Sequence, residues 1–585
     1  MKLYKEMFEK WMNSEVVDAE TKQELLTLAG NEAEIEGRFS SMLDFGTAGL
    51  RGTMGAGLHK MNVYTVRYAT QGLSDLILAN GEEAARKGVC IAYDSRINSQ
   101  EFAWEAACTL SANGISVYLF DELRPTPELS FAIREFGAIA GINITASHNP
   151  KEYNGYKVYW EDGAQLPPQH AKQISDRLSE IDIFDDVKTC SREEALNKKL
   201  VTIVGKDFDE KYIEKVLGES VGKQYVAQAA DKVRMIYTPI HGTGYRLVPE
   251  VMKRLGIKHL LTVEEQMQPD GNFPTTKSPN PEEKDALRLA IELAQKENID
   301  LIVGTDPDAD RVGIAVRDCS GDYVPLTGNQ IGVLLLDYLI QSRKANGTLK
   351  DNAVVIKSIV STNMAKSIAE QNGVHLMDVL TGFKFIGEKI KEFETTNEYS
   401  FLFGFEESNG YLAGTYARDK DAIVASMLIA EMACYYQLKG MTLYEALNVL
   451  YTKYGFFQEQ CVSITIGGLN GLETMKGIMR SLRNTPPTAF AGIEIAKVGD
   501  YQSGKVADVK TGEETVTGLP NADVLFYELE DGSSVIVRPS GTEPKLKLYI
   551  MVKAESKPEA TNKKEQLVQE SKSLIGKLSE NDICI

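Results

Sequence analysis

Ala138-Ile139-Ala140-Gly141-Ile142-Asn143-Ile144-Thr145-Ala146-Ser147-His148-Asn149-Pro150 is a hydrophobic run that empties into a polar loop. The run is short enough to be a buried strand, and Pro150 with the Asn154-Gly155 turn keeps the following chain out of regular structure. A strand that ends this way sets Ser147 outside its carboxyl end, where α/β folds place ligands. Further strands are expected at 89–93, 116–120, 234–237, 301–304 and 354–356, with amphipathic helical patterns at 282–297 and 330–343. Strands and helices alternating at this spacing imply βαβ units and mixed or parallel sheets. The last stretch differs, with strands at 524–529, 534–537 and 545–552 and a charged helix near 563–577, an α+β tail.

Size and charge bound the rest. The 585 residues are too many for one core and suit three or four domains. A formal net charge of -19 argues against nucleic-acid binding, which needs a basic face, but not against a phosphorylated substrate held in a focused basic pocket. The seven cysteines, Cys90, Cys108, Cys190, Cys319, Cys434, Cys461 and Cys584, are odd in number and scattered without a CxxC pair. They read as reduced thiols of a cytoplasmic protein, and the six dispersed histidines offer no zinc motif. The first fifteen residues, MKLYKEMFEKWMNSE, mix charge with apolar residues and hold no signal core, and charge interrupts every long apolar stretch, so no membrane span is expected. Linkers are expected near 186–210, at the 318–323 turn and at 451–460, and loops at 485–487 and 510–518.

Three loops besides that of Ser147 stand out. Gly304-Thr305-Asp306-Pro307-Asp308-Ala309-Asp310-Arg311 follows a hydrophobic strand, and carboxylates at every second position fall on one side of an extended loop. Gathered together they repel and favour a hard cation such as Mg²⁺. An EF-hand is excluded because its sixth position, which needs Gly, is Arg311 and its twelfth, which needs Glu, is Arg317. Arg538-Pro539-Ser540-Gly541-Thr542-Glu543-Pro544-Lys545 offers a guanidinium fork, hydroxyls and backbone N–H groups, either an anion nest or a plain turn. It is not a Walker loop, and no GxSxG elbow accompanies Ser147. Gly404-Phe405-Glu406-Glu407-Ser408-Asn409-Gly410 could hold neighbouring sugar hydroxyls, since a carboxylate accepts two hydrogen bonds. Cationic segments lie on either side of it, Thr381-Gly382-Phe383-Lys384 upstream and Arg418-Asp419-Lys420-Asp421 downstream.

The order of these loops identifies the chain more sharply than any one of them. It resembles the α-D-phosphohexomutase superfamily, and within it the long bacterial phosphoglucomutase-like branch. The resemblance runs from Phe45-Gly46-Thr47-Ala48-Gly49-Leu50-Arg51-Gly52 to the Arg538 loop, and takes in Asn272-Phe273-Pro274 and Ser278-Pro279-Asn280-Pro281-Glu282. It implies three consecutive α/β domains with mixed sheets and a C-terminal α+β domain, spanning 1–208, 209–322, 323–456 and 457–585, with the active site in a central cleft. It also implies that Ser147 is a phosphoserine and that Ser147, Asp306, Asp308 and Asp310 bind Mg²⁺.

Lys157, His148 and Arg51 would complete the catalytic set. Arg311, Thr381, Gly382, Lys384, Glu406, Ser408 and Lys420 would meet the sugar phosphate, and Arg538, Ser540, Gly541 and Thr542 its non-reacting phosphate. The activity implied is interconversion of glucose 1-phosphate and glucose 6-phosphate, with glucose 1,6-bisphosphate as intermediate and activator. Mannose or pentose phosphates, bisphosphate synthesis, a metal-dependent phosphatase and a non-catalytic sugar-phosphate sensor are the alternatives. Dual-specificity bacterial relatives carry a histidine shortly after the sugar-binding serine, where this chain reads Asn409-Gly410-Tyr411, so it leans to the glucose type. No nucleic-acid or membrane partner is expected, and the state is a monomer or small homo-oligomer.

Overall fold

The computed structural model describes residues 3–47, 49–467, 470–540 and 544–581. The chain divides into two compact units. The first comprises Met1–Ile331, Ile386–Gly404 and Ser408–Tyr444, and the second Gly332–Phe385, Phe405–Glu407 and Glu445–Ile585.

In the first unit, β1 (Leu50–Thr53), β2 (Val89–Tyr93), β3 (Val117–Phe120), β4 (Ala140–Ile144), β5 (Tyr153–Trp160) and β6 (Val201–Val204) form one sheet in the order β1-β5-β4-β2-β3-β6. β2, β3, β4 and β6 run parallel, while β5 is antiparallel to both β4 and β1. β2 and β4 are buried throughout, which is why they read as unbroken apolar runs. The expected linker at 186–210 instead holds the helix Arg192–Asn197 and β6, which joins the sheet at its edge. Its two central residues, Thr202 and Ile203, are exposed, and a four-residue edge strand of this kind carries too little apolar alternation to be read from sequence.

The second sheet of this unit has the order β11-β10-β9-β7-β8. Its strands are β7 (Arg234–Thr238), β8 (His259–Thr262), β9 (Leu301–Thr305), β10 (Val312–Arg317) and β11 (Tyr323–Pro325). The 318–323 turn joins β10 to β11 as a hairpin of that sheet. The helix expected from 282 begins only at Arg288. Asn280 and Asp285 explain the delay, because their side chains accept from the backbone N–H groups of Glu282 and Lys277 and offer this stretch an alternative to helix.

In the second unit β12 (Ala353–Ser358) pairs in parallel with β13 (His375–Val379). β14 (Ser400–Glu406), which runs from the first unit into the second, and β15 (Gly410–Leu412) of the first bracket the Glu406-Glu407-Ser408-Asn409 loop. The tail begins at β16 (Phe456–Thr465), directly after the helix Leu443–Tyr454 and Gly455. Its sheet continues with β17 (Ala489–Phe490), β18 (Ile493–Asp500), β19 (Lys505–Asp508), β20 (Glu514–Val516), β21 (Leu525–Leu529), β22 (Ser534–Pro539) and β23 (Lys545–Ala554). All its pairings are antiparallel, and the helix Lys557–Asn581 packs on β23 and β16. β20 occupies part of the expected 510–518 loop; all three of its residues are exposed, so no apolar signal marks it. The architecture is therefore mixed α/β followed by an α+β tail. Among the described residues no helix is long and apolar enough to cross a membrane, and six cysteines are free, Cys584 lying outside the described residues.

Candidate active site

β4 delivers its loop into a tightly fixed conformation. Thr145 Oγ1 donates to Asp94 Oδ2 at 2.6 Å and accepts from the Ser147 backbone N–H at 2.8 Å. Ser147 sits at φ 52, in the left-handed region that a residue with a Cβ seldom adopts. What holds it there is Arg96. Its guanidinium donates to the carbonyl oxygens of Ser147 (2.6 Å), Pro150 (2.9 Å), Tyr153 (3.0 Å) and also Asn149, while its Nε lies 3.2 Å from Asp94 Oδ2. A buried guanidinium pinning successive carbonyls over-determines the loop, which is how local strain persists.

The acidic loop connects β9 to β10 and folds on its own first carboxylate. Asp306 Oδ1 accepts from the N–H groups of Asp310 (3.1 Å) and Arg311 (3.0 Å), and its Oδ2 accepts from Ser147 Oγ at 2.8 Å. Oxygens of Asp306, Asp308 and Asp310 all lie within 4.8 Å of one another, and all three residues are buried. Gly242 lets the neighbouring 239–243 turn approach, since a Cβ there would lie 2.4 Å from Pro307 Cα. The Thr243 N–H then donates to Pro307 O at 2.8 Å.

Cations surround the three aspartates. Lys157 on β5 donates from Nζ to Asp308 Oδ2 at 2.7 Å and lies 3.6 Å from Asp310 Oδ2. Lys420 Nζ is 3.2 Å from Asp310 Oδ2 and 2.9 Å from Asp419 Oδ1. Gly410 leaves room for it, because a Cβ there would fall 2.1 Å from the Lys420 side chain. Arg311 pairs with Glu282 at 3.2 Å and lies 3.7 Å from Asp310. His148 Nδ1 is 3.3 Å from Ser147 Oγ, and Arg51 donates to Asn149 Oδ1 at 3.3 Å.

These charges shift one another's proton affinities. Burial, reinforced by Asp308 and Asp310, pushes Asp306 well above the carboxylate range. Burial would raise Asp308 as well, but Lys157 outweighs it and holds that carboxyl below its usual value. Burial would lower Lys157, yet Asp308 and Asp310 outweigh it and keep the ammonium charged. Burial and the positive charges of Arg311 and Arg51 push His148 down to about 2, so its imidazole is neutral.

Within the second unit, Glu406 Oε1 accepts from the Gly382 N–H at 2.7 Å, which ties the Thr381-Gly382 turn to the Glu406 loop. The Thr381 hydroxyl is buried there without a hydrogen-bond partner, and Lys384 Nζ lies over the Phe385 ring. Glu407 accepts from Ser358 Oγ at 3.0 Å and Ser361 Oγ at 3.5 Å. Arg538 on β22 is half-buried, and the Ser540 N–H donates to Lys545 O at 2.7 Å. Burial and the Glu407 charge raise the Tyr549 hydroxyl, and Arg538 acts against that rise. Gly541 and Thr542 lie outside the described residues. Ser408 belongs to the first unit, half-buried.

Comparison with known proteins gives this arrangement its context. Residues 42–183, 210–321 and 327–454 match the phosphoglucomutase/phosphomannomutase α/β/α domains I, II and III, and residues 496–570 match the C-terminal domain of the same family. The chain belongs to that family. A phosphoglucomutase of Staphylococcus aureus (strain MRSA252) is 38% identical over 526 residues, covering 89% of this chain and 92% of the relative. One from Staphylococcus saprophyticus is 36% identical over 531 residues, covering 91% and 94%. Among solved structures, the exocytosis-sensitive phosphoprotein parafusin, a phosphoglucomutase of Paramecium, superposes with a TM-score of 0.65 at 19% identity over 92% of this chain and 94% of that one. A phosphoglucomutase/phosphomannomutase family protein of Burkholderia thailandensis gives 0.64 at 18% identity over 91% and 97%. At those identities the two structures speak for the fold alone.

Whether a phosphoglucomutase/phosphomannomutase metal site fits this chain can be judged from its own atoms. Asp308 Oδ1 and Asp310 Oδ1 are buried without a hydrogen-bond partner. Buried carboxylate oxygens are costly to leave unpaired, and an all-oxygen set suits Mg²⁺, so the residues fit. Sequence reasoning passed over several contributors. Asp94 and Arg96, straight after β2, were legible as polar residues at the carboxyl end of a buried strand. Ser278 donates to His148 O at 3.2 Å and Glu282 pairs with Arg311, so the 278–282 stretch touches the site although its residues suggested no chemistry. Asp419 anchors Lys420 and accepts from Tyr159 at 2.9 Å, a role that only the fold brings out.

Proposed function

We propose that this chain is a phosphoglucomutase that interconverts α-D-glucose 1-phosphate and glucose 6-phosphate through a phosphorylated Ser147. The observation that carries the reading is the Ser147 hydroxyl donating at 2.8 Å to the first of three clustered, buried aspartates, a nucleophile set against a place for a hard cation. The phosphoglucomutases of Staphylococcus, related along most of the chain, support glucose as the sugar.

Ser147, once phosphorylated, gives its phosphoryl group to the free hydroxyl of a sugar monophosphate. The Ser147 O–P bond breaks, a P–O bond to the sugar forms, and the proton of the sugar hydroxyl passes to the departing Ser147 oxygen. The bisphosphate then turns over, and the freed Ser147 takes the other phosphoryl group back. Asp306, Asp308, Asp310 and phosphorylated Ser147 would hold Mg²⁺, which supplies charge neutralisation on the transferring group. Lys157, kept charged, acts as a donor to that group or to the reacting hydroxyl and not as a resting base. The neutral His148 imidazole is an acceptor within reach of the Ser147 proton. Arg51 and Arg311 add positive charge.

Recognition falls to the remaining groups. Glu406 and Ser408 would bind sugar hydroxyls beside Thr381, Gly382 and Lys384, while Lys420 with Arg538, Ser540, Gly541 and Thr542 would hold the non-reacting phosphate. We assign these loops to four consecutive domains, 1–208, 209–322, 323–456 and 457–585, and water must be kept from the phosphoserine or it would hydrolyse. Glucose 1,6-bisphosphate would recharge Ser147 whenever the intermediate escapes. A cytoplasmic monomer or small homo-oligomer suits this chemistry. A coupled assay comparing glucose, mannose and ribose 1-phosphates tests the reading: glucose should give the highest kcat/KM, and a preference for mannose or ribose would overturn it.

A further inference from the structure

Outside the four loops, one buried chain of hydrogen bonds ends on the acidic loop. The helix Thr126–Phe136 starts against it. The Thr126 backbone N–H donates to Asp308 O at 2.9 Å, and the Thr126 hydroxyl donates to Asp308 Oδ2 at 3.0 Å. Asn143 Nδ2, from the middle of β4, donates to Thr126 Oγ1 at 2.7 Å. Thr126, Asn143 and Asp308 are each fully buried, so no solvent substitutes for a lost partner.

The direction of this chain is forced. An ionised carboxylate can only accept, so the single hydroxyl hydrogen of Thr126 must point at Asp308. Its oxygen is then free to accept, and only the amide N–H of Asn143 can supply that hydrogen. Asn143 thus locks the Thr126 rotor toward Asp308. The other donor to Asp308 Oδ2 is Lys157, which stands opposite Asn143 on the β4–β5 ladder. Directly opposite residues project on the same face of a sheet. One rung therefore sets both contacts to one oxygen, Lys157 directly and Asn143 through Thr126. Asp308 Oδ1 is left buried and without a hydrogen-bond partner.

We propose that Thr126, locked by Asn143, is a positioning residue that fixes the Asp308 carboxylate and thereby reserves its Oδ1 for a divalent cation. This rests on the reading of the three aspartates as a metal site. Groups that orient a ligand from behind typically set metal affinity by about 10–100-fold.

Mn²⁺ serves as the probe, titrated calorimetrically into the chelator-treated full-length protein. Thr126→Val keeps the shape and removes the hydroxyl, and should weaken Mn²⁺ binding by about 10–100-fold. Thr126→Ser restores the donor and should bind within about threefold of wild type. Asn143→Leu leaves the hydroxyl free to turn away and should weaken binding by less than Thr126→Val. In the assay, the Thr126→Val loss should appear in the metal concentration for half-activation, with kcat recovering at saturating metal.

Wild-type affinity in Thr126→Val, with affinity lost in Asp308→Asn, would overturn this inference and leave the metal site standing. No binding to wild type, or unchanged binding in Asp308→Asn, would instead overturn the metal-site reading, and this inference with it. Should Thr126→Val not fold, Asn143→Leu decides: wild-type affinity there overturns the proposal, and weakened binding alongside an intact Thr126→Ser upholds it.

Discussion

Two acidic loops follow buried strands in this molecule, and they use their carboxylates in opposite ways. In the first unit, Asp308 and Asp310 each keep one buried oxygen without a hydrogen-bond partner while lysines hold the other. In the second unit, Glu406 accepts from the Gly382 N–H, and Glu407 from the hydroxyls of Ser358 and Ser361. Both sequences show closely spaced acids at the end of a strand. What separates them is whether a buried carboxylate oxygen is left without a donor, since neutral donors reach Asp306 and Asp308 as well. Buried oxygens left open among like charges, as on Asp308 and Asp310, call for a cation.

Neutralising one acid in each loop would break that comparison most directly. Asp308→Asn should abolish Mg²⁺ activation and cut turnover by roughly two orders of magnitude or more, because it removes a ligand charge. EDTA should do the same to wild type, and Mg²⁺ should restore activity better than Ca²⁺. Glu407→Gln keeps an acceptor for Ser358 and Ser361, so kcat should stay within about threefold of wild type. Equal losses in the two variants, read in the same coupled assay, would remove the distinction.

Between these extremes lies Arg538. Arg538→Ala should weaken the substrate by about 1.5–3 kcal/mol, or roughly ten- to hundredfold, mostly in KM. The variant should also depend more on added glucose 1,6-bisphosphate, since the intermediate would escape more readily. Unchanged KM and bisphosphate dependence would reduce the tail loop to a plain turn.

Sequence legibility followed the same divide. The Ser147 and Asp306–Asp310 loops were readable because each follows a fully buried strand whose apolar run stops abruptly. Arg96, Thr126 and Asn143 were not singled out. Each sits on or beside an ordinary strand or helix, and only the fold brings Arg96 onto Ser147, 51 positions away, and Thr126 onto Asp308, 182 positions away, with Asn143 behind Thr126. β6 and β20 were missed for a different reason: short edge strands with exposed residues carry no period-2 pattern. The four family domains were legible as loop order, whereas the division into two contact units interleaves distant segments that no local pattern announces.

Asp18 supplies the smallest test, an acid with its partners wholly met far from either loop in sequence. It caps the helix Ala19–Thr27, accepting from Thr21 N and from the Tyr64 hydroxyl. Burial would raise its pKa, but the Tyr64 and Thr21 hydrogen bonds outweigh it and lower the value from 3.8 to about 2. A lowered folded value means the contribution is complete above 3.8 and is lost as pH falls through about 2. Asp18→Ala should therefore cost about 1 kcal/mol of stability at neutral pH, with the difference from wild type closing toward pH 2 in denaturant unfolding. A difference that persisted undiminished below pH 2 would mean that the charge plays no part.

The central claim is that Ser147 carries the phosphoryl group. Intact-mass and peptide analysis of freshly purified protein, before and after incubation with excess glucose 6-phosphate, tests it most directly. A fraction carrying one phosphate, located on Ser147, should disappear as the sugar takes it up, with no such fraction and almost no turnover in a folded Ser147→Ala protein. Full mutase activity in Ser147→Ala, or a transferable phosphate on another residue, would contradict it.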